Sequence, residues 1–287
     1  DSAADMPEHL TKKYDIDVFP LYIHHDDQHF KDGIGLTSKE IYKNMEKGEV
    51  YKTSQVVVND FVEKFKKYAK EEKTVIYPTF SSELSGTFQS AVLAKNKIKE
   101  EYPDFDITII DTKCASMGVG LALYNVFQEM NENKLEKMEI IEKIKYYAEH
   151  MEHIFTVENL DYLVRGGRLS KVSGLVGGIL NIKPILEVRN GELKQLEKKK
   201  GSKKTRKRIE DLVVERGTNL KKQNLAIVHA ECKDKAKKMK DTIIEKTDCK
   251  TVIIGEIGAV IGAHTGPGTY GIMFVNDNKI VNNVEIY

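Results

Sequence analysis

Short apolar runs alternate with amphipathic runs through the first half of the chain, and this alternation constrains the fold more than any other feature. Ile16 to His24, Thr74 to Tyr77 and Ile107 to Asp111 read as strands. Helical patterns lie between and after them. Thr37 and Glu40 form a capping box ahead of Ile41 and Met45. Asn59 is placed to cap a helix with Phe61, Phe65 and Tyr68 on one face. Thr87 to Tyr102 carries Phe88, Ala91, Val92 and Ile98 at helical spacing, and further helices are expected from about Ser116 to Met130 and Lys134 to Met151. Strands separated by helices imply a mostly parallel sheet with helices on both faces. Such a sheet needs a strand leading into its first loop. Asp1-Ser2 reads as that loop, so the natural protein is expected to carry a first strand before Asp1.

The second half is patterned differently. Ile154 to Val157, Pro184 to Arg189 and Leu193 to Lys198 read as strands, and Asn190-Gly191 between the last two is a hairpin signal. A helix from about Ser202 to Arg216 and a Lys-rich one from Asp234 to Glu245 are interleaved with strands at Leu225 to His229, Thr251 to Gly255 and Gly271 to Asn276. Hairpins mixed with helices suggest a mixed or antiparallel sheet. The expected fold is therefore α/β: a parallel-sheet α/β domain over residues 1–155, and an α+β domain over 156–287 packed closely against it.

Composition narrows the function. The chain has 287 residues, 40% hydrophobic and 31% charged, which is globular composition. A formal net charge of +1 gives no global attraction to nucleic acid or an anionic membrane. Cys114, Cys232 and Cys249 are scattered and odd in number, which argues against a disulfide framework or a zinc cluster and for free thiols in a reducing cytoplasm. No apolar run reaches the length of a membrane span. The basic residues are mostly Lys, in keeping with an AT-rich bacterial genome.

Several loops could carry chemistry. Ser81-Ser82-Glu83-Leu84-Ser85-Gly86-Thr87 lies between a strand and a helix, at the edge where parallel sheets usually bind ligands. The helix start offers unpaired N–H groups, Gly86 permits close backbone approach, and Ser85 and Thr87 add hydroxyls. The same residues also serve as a plain helix cap, and spacing leaves both readings open. Lys52-Thr53-Ser54-Gln55 is a second polar loop. His264 stands among Gly258, Gly262, Gly266 and Gly268, either as a structural group or as a donor to an anion. Arg165-Gly166-Gly167-Arg168 is a tight basic turn, and the glycine-rich apolar stretch Val172 to Ile182 has room for an apolar ligand. The basic run from Lys198 to Arg208 has neither interleaved aromatics nor Walker A spacing; it reads as a solvated face or a docking surface for an acidic or phosphorylated partner. His24-His25-Asp26-Asp27 and the carboxylates of Asp1, Asp5 and Asp111 raise the alternative of a metal-dependent phosphoesterase or a kinase-like transferase. Adjacent histidines on a strand point to opposite faces, however, so His24 and His25 are poorly placed to share an ion.

In order along the chain, Asp1-Ser2-Ala3-Ala4-Asp5, Thr53-Ser54-Gln55, Ser81 to Thr87, Asp111 to Gly120, Arg165 to Ser170, Asn181-Ile182-Lys183-Pro184 and His264-Thr265-Gly266-Pro267-Gly268 resemble the DegV family of bacterial fatty-acid-binding proteins. The family often has Pro soon after Thr-Ser-Gln. Val56 follows here, which alters backbone stiffness and leaves the hydroxyls in place. The resemblance implies a long-chain fatty acid, such as a C16–C18 acid like palmitate, buried between the two domains. It implies that Thr53 and Ser85 hold the carboxylate with His264 nearby, that Ser54, Gly86, Thr87, Thr265 and Gly266 support this loop, and that there is no catalytic residue, metal or cofactor. In relatives that serve a fatty acid kinase, the carrier presents the carboxylate to a separate ATP-binding subunit. By that analogy Arg165, Arg168, Lys203, Lys204 and Arg206 face the kinase or the acyl phosphate.

Overall fold

The computed structural model describes residues 1–169 and 181–287. Ser170 and the glycine-rich stretch through Leu180 lie outside the described residues. A 3₁₀ turn at Ser2–Ala4 opens the chain. It is followed by α1 (Glu8–Lys13), β1 (Tyr22–His25), β2 (Gln28–Lys31), α2 (Ser38–Glu46), β3 (Lys52–Ser54), α3 (Val58–Lys70), β4 (Val75–Thr79), α4 (Thr87–Glu101), β5 (Ile107–Asp111), α5 (Met117–Glu132) and α6 (Lys137–Glu149). Next come β6 (Met151–Thr156), α7 (Asp161–Arg165), β7 (Ile182–Arg189), β8 (Glu192–Lys200), α8 (Ser202–Arg216), β9 (Asn224–His229), α9 (Lys233–Thr247), β10 (Thr251–Glu256), α10 (Ala259–Thr265), β11 (Tyr270–Val275) and β12 (Glu285–Ile286).

The expected parallel pairing is β4 with β5, where Val75 faces Ile107 and Thr79 faces Asp111. β12 adds to the outside of β5 in antiparallel sense, so the end of the chain returns to the sheet of the first half. The mixed sheet of the second half has the order β10-β9-β11-β6-β7-β8. Its β9–β10 pair is parallel and its other pairs are antiparallel. This sheet begins at Met151, so a division at 155/156 falls inside β6.

Two local expectations are corrected. The segment Ile16 to His24 is not one strand: pairing begins only at Tyr22, beyond Pro20, and the chain then turns at Asp26 (φ 50°) into β2. Proline has no N–H to give a ladder, and the groups on either side of it pair with Ser2 instead: Ser2 N donates to the Phe19 carbonyl at 2.9 Å and Leu21 N donates to Ser2 Oγ at 3.1 Å. The hairpin and β3 form a separate antiparallel sheet. Asn59 does not cap α3. The helix starts at Val58, with Val57 in the extended region ahead of it and no side-chain cap bond. By contrast, the Thr37 capping box is complete: Glu40 N donates to Thr37 Oγ1 at 3.2 Å and Thr37 N donates to Glu40 at 2.9 Å.

Period-two burial explains how the six-stranded sheet serves two cores. Leu225 and Ile227 of β9, with Ile272 and Phe274 of β11, pack against Ile209 and Leu212 of α8 and Met239 and Ile243 of α9. The intervening residues Ala226, Val228 and Met273 face the other way and join the core of the first half. The helix α8 therefore covers the sheet face opposite the first half.

The β7–β8 hairpin turns at Asn190 (φ 50°) and Gly191 (φ 82°). Its tip docks onto the loop after β4, where Ser81 Oγ donates to the Gly191 carbonyl at 2.9 Å. A Cβ at Gly191 would stand 2.4 Å from Ser81 Oγ and 2.9 Å from Lys113 Cδ. Gly191→Ala combines that clash with a left-handed backbone, and it is expected to lower the unfolding free energy by about 1–2 kcal/mol in urea titration.

Candidate functional site

A cavity of about 240 Å³ lies between the first half and the six-stranded sheet. Phe80, Leu84, Phe155, Val228 and Met273 contribute to an apolar lining, and Thr53, Ser85 and His264 to its polar wall. Each polar residue comes from a different element: Thr53 from β3, Ser85 from the loop before α4, and His264 from the last turn of α10.

The central contact is Thr53 Oγ1 to His264 Nε2 at 2.6 Å. His264 Nδ1 is buried and has no hydrogen-bond partner among the described residues. A proton there would be an unsatisfied buried donor, so the favoured tautomer carries its proton on Nε2 and donates to Thr53 Oγ1. The Thr53 hydroxyl hydrogen is then free for a ligand oxygen. Burial, reinforced by the nearby Arg168 charge, lowers the pKa of His264 to about 4, so the ring is neutral at pH 7. Gly166 makes room for this ring, because a Cβ there would stand 2.1 Å from His264 Nδ1.

Ser85 is held by its neighbours. Thr87 N donates to Ser85 Oγ at 3.3 Å, and the two hydroxyl oxygens lie 2.9 Å apart. Thr87 Oγ1 also accepts from Val56 N at 3.4 Å. With the Thr87 proton directed to Ser85, the Ser85 proton is available to an anion. Gly86 packs against Gln55, where a Cβ would meet Oε1 at 2.2 Å, and Gln55 Nε2 donates to Ser90 at 2.9 Å. These contacts fix the Thr53 loop against the start of α4. Ser54 also lines the cavity, and its Oγ is 2.7 Å from His24 Nε2.

Arg168 lines the cavity as well. Its Nε donates to the Leu84 carbonyl at 3.1 Å and its Nη1 to the Gly166 carbonyl at 2.6 Å. A half-buried guanidinium is thus held beside Ser85. Thr265 lines the cavity, but its hydroxyl donates to the Ile261 carbonyl within α10. Gly266 ends that helix against the Tyr162 ring, and Arg165 lies over the same ring at 5.2 Å. Lys203, Lys204 and Arg206 are not brought to the cavity. They sit on α8, on the far face of the sheet, where Arg206 pairs with Glu210 at 3.1 Å.

The sequence reading passed over His153, which lines the cavity and accepts from Ala115 N at 3.2 Å. The available signal was the period of β6: His153 and Phe155 alternate with Ile154, which faces α8 and α9. The carboxylates considered for metal binding are scattered among different partners. Asp1 accepts from Phe80 N, Asp5 hydrogen-bonds with Ser116 and Gly258, and Asp111 pairs with Lys113. Among the described residues no group of three or more His, Cys, Asp or Glu is placed to hold a metal ion, and no helix is long and apolar enough to cross a membrane.

Burial lowers the pKa of His153 to about 4, as it does for His264. An unfolded histidine takes up a proton near pH 6.5, and the folded ones resist until about 4. This contribution to stability is complete above pH 6.5 and is lost as the pH falls toward 4, by up to about 3 kcal/mol per residue. His264→Gln is expected to flatten the acid limb of the unfolding free energy between pH 6.5 and 4. An unchanged slope in urea titrations across that range would contradict a buried neutral His264.

Comparison with known proteins places this arrangement. The family model described as "uncharacterised protein, DegV family" matches residues 1–277. A fatty acid-binding protein of Thermotoga maritima is 36% identical over 277 residues, covering 94% of each chain. A fatty-acid-binding DegV family protein from Thermus thermophilus superposes with a TM-score of 0.87 at 27% identity, over 96% of this chain and 97% of that one. The fatty acid kinase B3 protein of Streptococcus pneumoniae, loaded with linoleic acid, superposes with a TM-score of 0.80 at 27% identity over 90% of each chain. With a family match over nearly all of its length and full-length relatives above 30% identity, the chain belongs to the DegV family.

Proposed function

We propose that this protein binds a long-chain fatty acid of the C16–C18 class, with the acyl chain in the cavity and the carboxylate at Thr53, Ser85 and His264. The observation that carries this reading is the Thr53–His264 contact, set with Ser85 on the wall of an apolar cavity. Fatty acid binding by the Thermotoga and Thermus relatives supports it. Each buried methylene contributes about 0.8 kcal/mol, so a chain of ~15 carbons supplies roughly 10 kcal/mol before the entropy of association is subtracted. The tail therefore sets affinity. The hydroxyls and the neutral histidine offset the desolvation of the carboxylate.

On this reading the protein is a cytoplasmic carrier rather than a catalyst. Its two halves, divided near residue 155, form the two walls of the site. The likeness to the pneumococcal fatty acid kinase B3 protein supports a partnership with a separate fatty acid kinase. Arg168, beside Ser85, then stands where a carboxylate or acyl phosphate would gain from a positive charge, and Arg165 lies on the neighbouring helix. The α8 cations are a separate candidate contact with the kinase, away from the head group. The metal-dependent phosphoesterase and kinase-like transferase readings find no converging ligand set among the described residues.

Two measurements follow. In native mass spectrometry of the purified protein, Thr53→Ala with Ser85→Ala is expected to reduce co-purified fatty acid at least about tenfold, a loss of some 1.4 kcal/mol or more, with the circular dichroism spectrum unchanged. Full retention by the folded double variant would remove the assigned head-group site. Charge reversal at Lys203, Lys204 and Arg206 is expected to leave fatty acid retention unchanged, because α8 covers the face of the sheet opposite the cavity. Loss of lipid from that folded variant would contradict the separation.

A further inference from the structure

A buried acid, Asp5, and a partly buried one, Asp32, converge on the start of α10, the helix that delivers His264. Asp5 Oδ1 accepts from Gly258 N at 2.8 Å, and its Oδ2 lies 2.5 Å from Ser116 Oγ. The Asp32 carboxyl group faces the same helix end; burial raises its pKa, and the Ser2 hydroxyl and the nearby backbone N–H groups of Ala259, Gly33 and Val260 oppose that rise. Two acids from the N-terminal fifth of the chain thus face one helix end, and Asp5 takes its Gly258 N–H. A Cβ on Gly258 would lie 2.8 Å from Asp5 Oδ1 and 3.7 Å from Asp32 Oδ2. The carbonyl side is held as well: Tyr42 Oη donates to the Ile257 carbonyl at 2.7 Å, and Gly262 lies against the Tyr42 ring.

A single helix cap satisfies a helix start with one side chain at or near the surface. Here Asp5 is buried and Asp32 partly so, and burial is costly to a carboxylate. What this anchor gains is position. From Gly258 to His264 the chain is one short helix, so fixing its first turn fixes where the His264 ring meets Thr53. Ser116, the other partner of Asp5, lines the same cavity with φ 50° and ψ −141°, an unusual backbone geometry for a residue with a side chain.

We infer that Asp5 and Asp32 are positioning residues of the head-group site: they clamp the first turn of α10 and so hold His264 in register with Thr53. This rests on the carboxylate reading of Thr53, Ser85 and His264. Burial raises the pKa of Asp5 to about 8, which favours the neutral acid at neutral pH; in that form Oδ2 donates to Ser116 Oγ, and an asparagine, with Nδ2 in the same place, resembles it in charge and shape. Asp5→Asn keeps an oxygen for Gly258 N, whereas Asp5→Ala leaves that N–H unpaired.

The test compares two ligands of one chain length on delipidated full-length protein, by displacement of a fluorescent fatty acid. Palmitate needs the head-group site; hexadecanol fills the cavity without a carboxylate. Asp5→Ala and Asp32→Ala are each expected to weaken palmitate about tenfold and hexadecanol less than about twofold, and Asp5→Asn to restore palmitate binding. Where an alanine variant does not fold, Gly258→Ala carries the test, because it leaves both acids in place and crowds Asp5; the same selective loss is expected. Folded variants that lose both ligands in parallel, or neither, would overturn the clamp, since a purely structural role does not distinguish head groups. A wild-type protein that does not prefer palmitate to hexadecanol would remove the head-group reading itself, and the inference with it.

Discussion

The contact between Thr53 and His264 joins residues 211 positions apart, and much of the architecture serves to bring them together. β3 is a three-residue strand held by β1, and α10 is a short helix held by Tyr42 of α2 and by the buried Asp5. Neither element is long enough to be stable alone. Each takes its geometry from tertiary packing, so the site exists only in the assembled fold. The cavity wall is built the same way: one face of the six-stranded sheet meets the first half, and the other is filled by α8 and α9.

The electrostatics suit a ligand with one charged end and a long apolar body. His264 is neutral, the two hydroxyls can each present a proton, and Arg168 is held at the margin by two backbone carbonyls. A full ion pair in the grip would bind the carboxylate more tightly but would also quench its oxygen as a nucleophile. Neutral donors stabilise the anion while leaving it reactive, in keeping with a carrier whose ligand is modified by another protein. The α8 cations lie behind the sheet and add nothing to this field at close range.

Local signals carried well from sequence to structure where a few neighbouring residues decide the outcome. The Thr37–Glu40 box and the Asn190-Gly191 turn are such cases, because both rest on side-chain and dihedral preferences over four residues or fewer. The β1–β2–β3 sheet was not legible: its strands of three or four residues are too short to show alternation, and Pro20 delays pairing within an apparently continuous run. Asn59 misled because a cap depends on the conformation of one residue, and Val57 occupies the extended region instead. For the site, spacing alone left Ser85 divided between ligand contact and helix cap, and the structure shows its hydroxyl engaged with the first helical residue as well as facing the cavity. The ordered family pattern singled out Thr53 and Ser85 over their neighbours, and the proximity of Thr53 to His264 is a long-range contact that no local period encodes. The Asp5–Asp32 anchor went unread for the same reason, whereas His153 was legible in the alternation of β6.

The most direct test is a crystal structure of the protein with palmitate. The account predicts the carboxyl group within hydrogen-bonding distance of Thr53 Oγ1 and Ser85 Oγ, with His264 Nε2 still donating to Thr53 beside it and the acyl chain running past Phe155 and Met273. A palmitate that lies elsewhere, or that enters the cavity with its carboxyl group turned away from these three side chains, would contradict it.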